Sequence, residues 1–233
     1  MAETQAETKS AKEIGRTNYF QGLAWSVYPG MRLLFRGGKL SKKDKWRNVA
    51  EHCLVQVAVV DKLTDLLKLP TEDKNTLKNV AACHDWEKRL KIKPGNFNET
   101  EKSLAEKLLK SVKPDQKLMD ATGPDFIEKA LVKEDSTFME RLQFYVDDIV
   151  SDTGVVELEK RIDEVEEKRQ DLNKDKALTA RLGGQYWDKE RELGFMVEQE
   201  IFEKLPPEVQ TQVGEPKNIP NYLLSQIEKN YIA

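Results

Sequence analysis

Between Trp46 and Leu67 an apolar side chain returns every three or four positions, at Trp46, Val49, Cys53, Val57, Val60, Leu63 and Leu67. That spacing gathers all seven on one face of an α-helix and scatters them over both faces of a strand, so only a helix buries them together. Ser41, with Asp44 three residues on, offers an acidic capping pair at its start, and Pro70 stops it. The same period recurs along the chain. A second helix begins near Thr71, carries Leu77, Val80, Ala81 and His84 on one face, and gives way before Pro94-Gly95. Residues 98–112 predict a third, with Leu104, Leu108 and Leu109 inward, and short helical pieces lie between Pro114 and Gly123-Pro124. Ser136 opens a helix whose stripe is Phe138, Leu142, Tyr145 and Ile149, and Gly154 marks a break. A charged helix follows with Val155, Leu158, Ile162 and Val165 at helical spacing. Another runs from Tyr186 to Pro206-Pro207, and residues 218–233 suggest a last short one. No segment sustains the alternation of a half-buried strand. The expected fold is all-α, a single-domain helical bundle.

The chain has 233 residues, long enough for one substantial core. Its 39% hydrophobic and 34% charged content suits helices with solvated outer faces. With 38 basic against 41 acidic residues it lacks the cationic excess of a nucleic-acid binder. The longest apolar runs are four residues, Val57 to Val60 and Val80 to Cys83, far short of the roughly 20 that a membrane span needs. A polar start without an apolar core is not a secretory signal, and two cysteines fit a reducing compartment, so the expected location is cytoplasmic. Composition divides the chain into a disordered tail at 1–15, an aromatic, glycine-punctuated arm packed on the bundle at 16–40, the helical domain at 41–205 and a C-terminal extension at 206–233.

The sequence holds two histidines. His52 lies mid-helix, one step off the apolar stripe, and His84 ends the stripe of the next helix just before Asp85. Imidazole and carboxylate are ligand types that a borderline divalent metal takes. Two histidines alone do not make a site, because a single helical histidine is more often a satisfied structural residue. Cys53 and Cys83 adjoin them and invite a Cys2His2 zinc site. Neighbouring helix positions diverge by about 100°, however, and both cysteines fall in apolar stripes, which favours buried core thiols. The charged run at 157–171 covers little more than two heptads, too short for a coiled coil.

Three segments taken in order carry a resemblance. RNVAEHCLVQVAVV (47–60) is followed, 32 residues after its histidine, by AACHDWEK (81–88), and then by RLQFYVDDIVSDTGVVELEKRI (141–162). The succession of His, then His-Asp, then Asp in an aromatic-rich helix resembles the HD-domain metal-dependent phosphohydrolases, over roughly residues 45 to 205. NVAEH looks like the opening helix of the bacterial 5′-deoxynucleotidase-like members, FYVDD is similar to the FYAD-type segment of small bacterial HD proteins, and Lys88 stands at the lysine of the HDxGK form.

The resemblance implies an HD-type bundle holding one divalent metal ion (Mn, Co, Zn, Fe or Mg) on His52, His84, Asp85 and Asp147. Helical periodicity by itself would choose Asp148 over Asp147; the family register chooses Asp147. The implied activity is attack of a metal-activated water on a small phosphomonoester, a nucleoside 5′-monophosphate foremost. Asp85 would take part at the metal. Glu87 would hold or relay the proton, although nucleotidase-like members carry their acid one residue further on, where this chain has Lys88. Lys88 and, more weakly, Arg47 would meet the substrate phosphate as cations. A homodimer is what similar proteins imply, with neither nucleic acid nor membrane as partner. No second histidine pair follows the HD dipeptide, which disfavours binuclear-iron forms, and the HD-x-x-E-D pattern of alarmone hydrolases is absent. A nucleotide or alarmone pyrophosphohydrolase on the same site and a non-catalytic HD scaffold holding a nucleotide or partner helix are the alternative readings.

Overall fold

In a computed structural model of the chain, residues 10–26, 49–85 and 99–232 are described. The main helices are α1 (Ala11–Ser26), α2 (Val49–Leu66), α3 (Thr71–Cys83), α4 (Glu99–Val112), α5 (Phe138–Asp148), α6 (Leu158–Glu166), α7 (Tyr186–Lys204) and α8 (Ile219–Glu228). Shorter helical turns join them. The architecture is all-α, organised around α2. Every residue from Glu51 to Val60 is buried, so over these ten residues α2 shows no solvated back. Leu54, Val55 and Val59, off the predicted stripe, are as enclosed as its members. A helix apolar all round belongs at the centre of a core, and α1, α3, α5 and α8 all pack against it.

The turn out of α2 lies where Pro70 predicts it. Lys68 takes a left-handed conformation (φ 53), and the Leu69 N–H returns to the Thr64 carbonyl. α3 then lies along α2 with Leu77, Val80 and Ala81 fully buried. Lys74 and Lys78 of α3 reach Asp61 of α2 at 3.1 and 2.9 Å. α5 starts one residue later than Ser136 suggests. Thr137 is the N-cap and forms a reciprocal capping box with Glu140.

Between α5 and α6 the structure departs from the expected helix. Val150–Ser151 and Gly154–Val155 form a two-stranded antiparallel hairpin, pairing Val150 with Val155 and Ser151 with Gly154. The turn rests on Asp152 at φ 49, a region that a short polar side chain tolerates. Val155 is therefore a buried strand residue, and the charged helix begins only at Leu158.

The N-terminal helix begins at Ala11, inside the stretch that composition suggests is irregular through residue 15. It lies close to the far end of the chain. A Cβ at Gly15 would stand 2.8 Å from the Tyr231 carbonyl carbon, so no larger residue fits without moving backbone. Leu223 and Ile227 of α8 enter the core around α2, which ties the segment after Pro206 to the same body. The aromatic arm beyond Ser26, Ser41, Asp44 and Trp46 lie outside the described residues, as do Arg47, Glu87 and Lys88. No described helix is long and apolar enough to cross a membrane.

Candidate metal centre

Three helices bring their polar residues to one point. His52 leaves the middle of α2, His84 caps the C-terminal end of α3, and Asp147 is the penultimate residue of α5. Each offers one ligand atom, and these atoms lie within 4.8 Å of one another. His84 Nε2 is 3.1 Å and His52 Nε2 3.8 Å from Asp147 Oδ1.

Backbone carbonyls orient both rings. His52 Nδ1 lies 2.8 Å from the Asp152 carbonyl at the hairpin turn, and His84 Nδ1 lies 3.2 Å from the Ala81 carbonyl within its own helix. A carbonyl oxygen only accepts, so each Nδ1 carries a hydrogen, and an Nε2 that holds no proton turns its lone pair inward. Metal-binding histidines are held in this way. For His84, burial opposes a positive charge, but the Asp147 and Asp85 carboxylates outweigh it and raise the imidazole well above its usual range. The same negative field attracts any cation, and a metal ion competes with the proton for that lone pair.

Asp85 stands beside this set. Its Oδ2 is 3.6 Å from His52 Nε2, while Oδ1 is 3.5 Å from His84 Nε2. The two oxygens thus face different rings. Of the predicted residues, the structure brings together His52, His84 and Asp147, with Asp85 adjacent. Asp147, rather than Asp148, belongs to the convergent group. Leu142 to Val146 are buried in succession, so α5 is enclosed on several sides and a single apolar stripe is a poor guide to which aspartate points inward.

The donor set fits a divalent ion. Two imidazole nitrogens and one carboxylate converge, with a second carboxylate in reach, and such borderline-to-hard ligands suit Mn, Co, Zn or Fe. The cysteines do not join them. Cys53 and Cys83 are fully buried outside the convergent group, and burial pushes both thiols up, Cys83 to about 12.

Several participants escape sequence reasoning. Gln56, one turn after His52 on α2, is fully buried, and its Nε2 lies 3.1 Å from each histidine Nε2 and 2.8 Å from Asp147 Oδ1. Its i, i+4 relation to His52, inside an otherwise apolar run, is a signal that could have found it. Arg16 of α1 bonds Glu51, the neighbour of His52, and donates to the Thr153 carbonyl at 2.6 Å, next to the carbonyl that holds His52. No local pattern announces a contact across such separations. Glu190 of α7 is also buried near Asp147; burial pushes its carboxyl up to about 7, and the Asp147 charge adds to this against a hydrogen bond from Tyr186.

The fold and site therefore define an all-α protein with a partly buried His-His-Asp cluster that can hold a metal ion. No protein-family model matches the chain, and neither a curated protein nor a solved structure is significantly similar to it.

Proposed function

We propose that this chain is a metal-dependent phosphohydrolase of the HD type, acting on a small phosphomonoester such as a nucleoside 5′-monophosphate. The observation that carries this reading is the meeting of His52, His84 and Asp147 from three separate helices, in the chain order that the sequence resemblance implies. A divalent ion held there would supply Lewis acidity, lowering the pKa of water and offsetting charge on a phosphate oxygen. The protein's own part is orientation. The Asp152 and Ala81 carbonyls fix the two rings, so their lone pairs need no rearrangement when the site fills. Asp85, whose two oxygens lie 3.5 and 3.6 Å from the two Nε2 atoms, would share the ion through one oxygen and take a proton from an attacking water with the other. Lys88 and Arg47 are proposed as the cations that receive the phosphate, and Glu87 as an auxiliary carboxylate.

One observation favours a second reading, a metal-free bundle that binds without turnover: the amide of Gln56 already touches His52, His84 and Asp147. Elemental analysis of the purified protein, followed by a phosphate-release panel with Mn, Co, Zn, Fe and Mg added back, separates the two. We expect His84→Ala and Asp85→Ala to lose both metal and phosphate release while their far-ultraviolet circular dichroism stays helical. Lost activity with full metal content in His84→Ala would refute the ligand assignment. A metal-free, inactive wild type that a nucleotide stabilises would favour the scaffold.

A further inference from the structure

The polar atoms around Gln56 do not balance. The side chain is fully buried, and one end of its carboxamide lies 3.1 Å from His52 Nε2, 3.1 Å from His84 Nε2 and 2.8 Å from Asp147 Oδ1. With the amide nitrogen at that end, its two hydrogens are set among three atoms, two imidazole nitrogens and a carboxylate oxygen. The other end, Oε1, is then buried without a hydrogen-bond partner, an arrangement that costs on the order of a net hydrogen bond or more. The nitrogen and oxygen of a carboxamide are nearly the same size, and which end points inward is decided by the surrounding network. Turned over, the side chain sets Oε1 on the triple contact. Once both Nε2 atoms are free of protons, as metal binding requires, four lone-pair donors converge from Gln56, His52, His84 and Asp147. Such a cluster repels itself, and a divalent cation at its centre turns the repulsion into coordination.

The distances agree with that arrangement. Ligands about 2.1 Å from a shared cation and at right angles to each other are about 3.0 Å apart. The inward end of Gln56 keeps close to that spacing from all three neighbours. It therefore stands at a vertex of a coordination shell rather than at the centre, where a cation would be nearer to each.

We infer that Gln56 is a metal ligand through Oε1, completing a shell with His52, His84 and Asp147. This rests on the metal reading and extends it, because an amide oxygen adds a neutral, hard donor without adding charge. The expected shell has five or six positions with solvent in the remainder, which suits Mn or Co better than a closed tetrahedral site.

The test is titration of the metal-stripped protein with Mn and with Co, by calorimetry and by the visible absorption of bound Co. Gln56→Met keeps the length and burial of the side chain without the oxygen. It is expected to weaken binding by about tenfold or more and to intensify the Co bands as the coordination number drops. Gln56→Asn keeps the amide but withdraws its oxygen by one methylene, and is expected to do the same, which guards against a fold defect peculiar to the methionine variant. Wild-type affinity and an unchanged Co spectrum in either folded variant would overturn the inference while leaving the three-residue site intact. A wild type that binds neither ion would overturn the metal reading, and this inference with it.

Discussion

Glu190 tests the electrostatics of the core around the site. It sits one turn after Tyr186 on α7 and is 8% exposed. Burial is the largest influence on its carboxyl, raising it; the Tyr186 hydroxyl resists, the Asp147 charge assists, and Arg161 and Arg191 oppose. The result is a shift from 4.5 to about 7. Between those values the folded protein keeps a proton that the unfolded chain has released. The free energy of unfolding therefore falls as pH rises from 4.5 to 7 and levels off above that. Such a shift corresponds to about 3 kcal/mol, an upper figure because the Asp147 charge shares it. Glu190→Gln retains the shape and an acceptor for Tyr186 but cannot ionise. In urea unfolding with a chelator present, so that no cation screens Asp147, wild type and variant should be equally stable near pH 4.5. At pH 8 the variant should be more stable by about 2–3 kcal/mol. Taking the difference cancels every other titrating group. Parallel curves over this range, or a less stable variant at pH 8, would refute the reasoning.

Asp147→Asn is expected to weaken Mn or Co binding by about tenfold or more while Asp148→Asn leaves it within about twofold, read by the same calorimetry; the reverse order would put the wrong aspartate in the shell. Gly15→Ala forces a Cβ to within 2.8 Å of Tyr231 backbone. It should destabilise the fold by about 1–3 kcal/mol, measured as a lower thermal midpoint, with Gly22→Ala as a control because nothing lies within 4 Å of a Cβ there. An unchanged midpoint would mean that α1 does not pack against the C-terminal segment.

Helical periodicity made most of the bundle legible, since a stripe such as Leu77, Val80 and Ala81 can be buried in only one way. It was least informative where a helix is surrounded. α2 and the last turns of α5 are buried on several sides, so their polar residues, Gln56 and Asp147 among them, fall off any stripe and yet point inward. The hairpin escaped notice because two-residue strands cannot display alternation, and because Val155 and Val156 extend the apolar spacing of the next helix backwards. His52 and His84 stand out by residue type, since the chain has no other histidine, whereas Asp147 is singled out only through the family resemblance, periodicity preferring Asp148. Arg16 is not singled out, because its partners Glu51 and Thr153 are brought to it only by the tertiary fold.

The position of the cluster explains why so many backbone groups serve it. A histidine and a glutamine in the middle of a buried helix, and a second histidine at a buried helix end, are costly unless their hydrogen bonds are met. Each ring spends its Nδ1–H on a carbonyl already fixed by secondary structure. For His84 this is one turn of its own helix, and for His52 it is a hairpin turn held in a left-handed conformation at Asp152. α5 is anchored at its start by the Thr137–Glu140 capping box and further along by the Tyr145 hydroxyl, which donates to buried Glu198 of α7 at 2.8 Å. Asp147 is thus carried on a helix restrained on both sides of its middle. The ordering of His52, His84 and Asp147 is completed when the chain folds. His52, His84 and Asp147 converge in the arrangement that remains, and a divalent cation is a species whose charge and coordination number can engage all three at once.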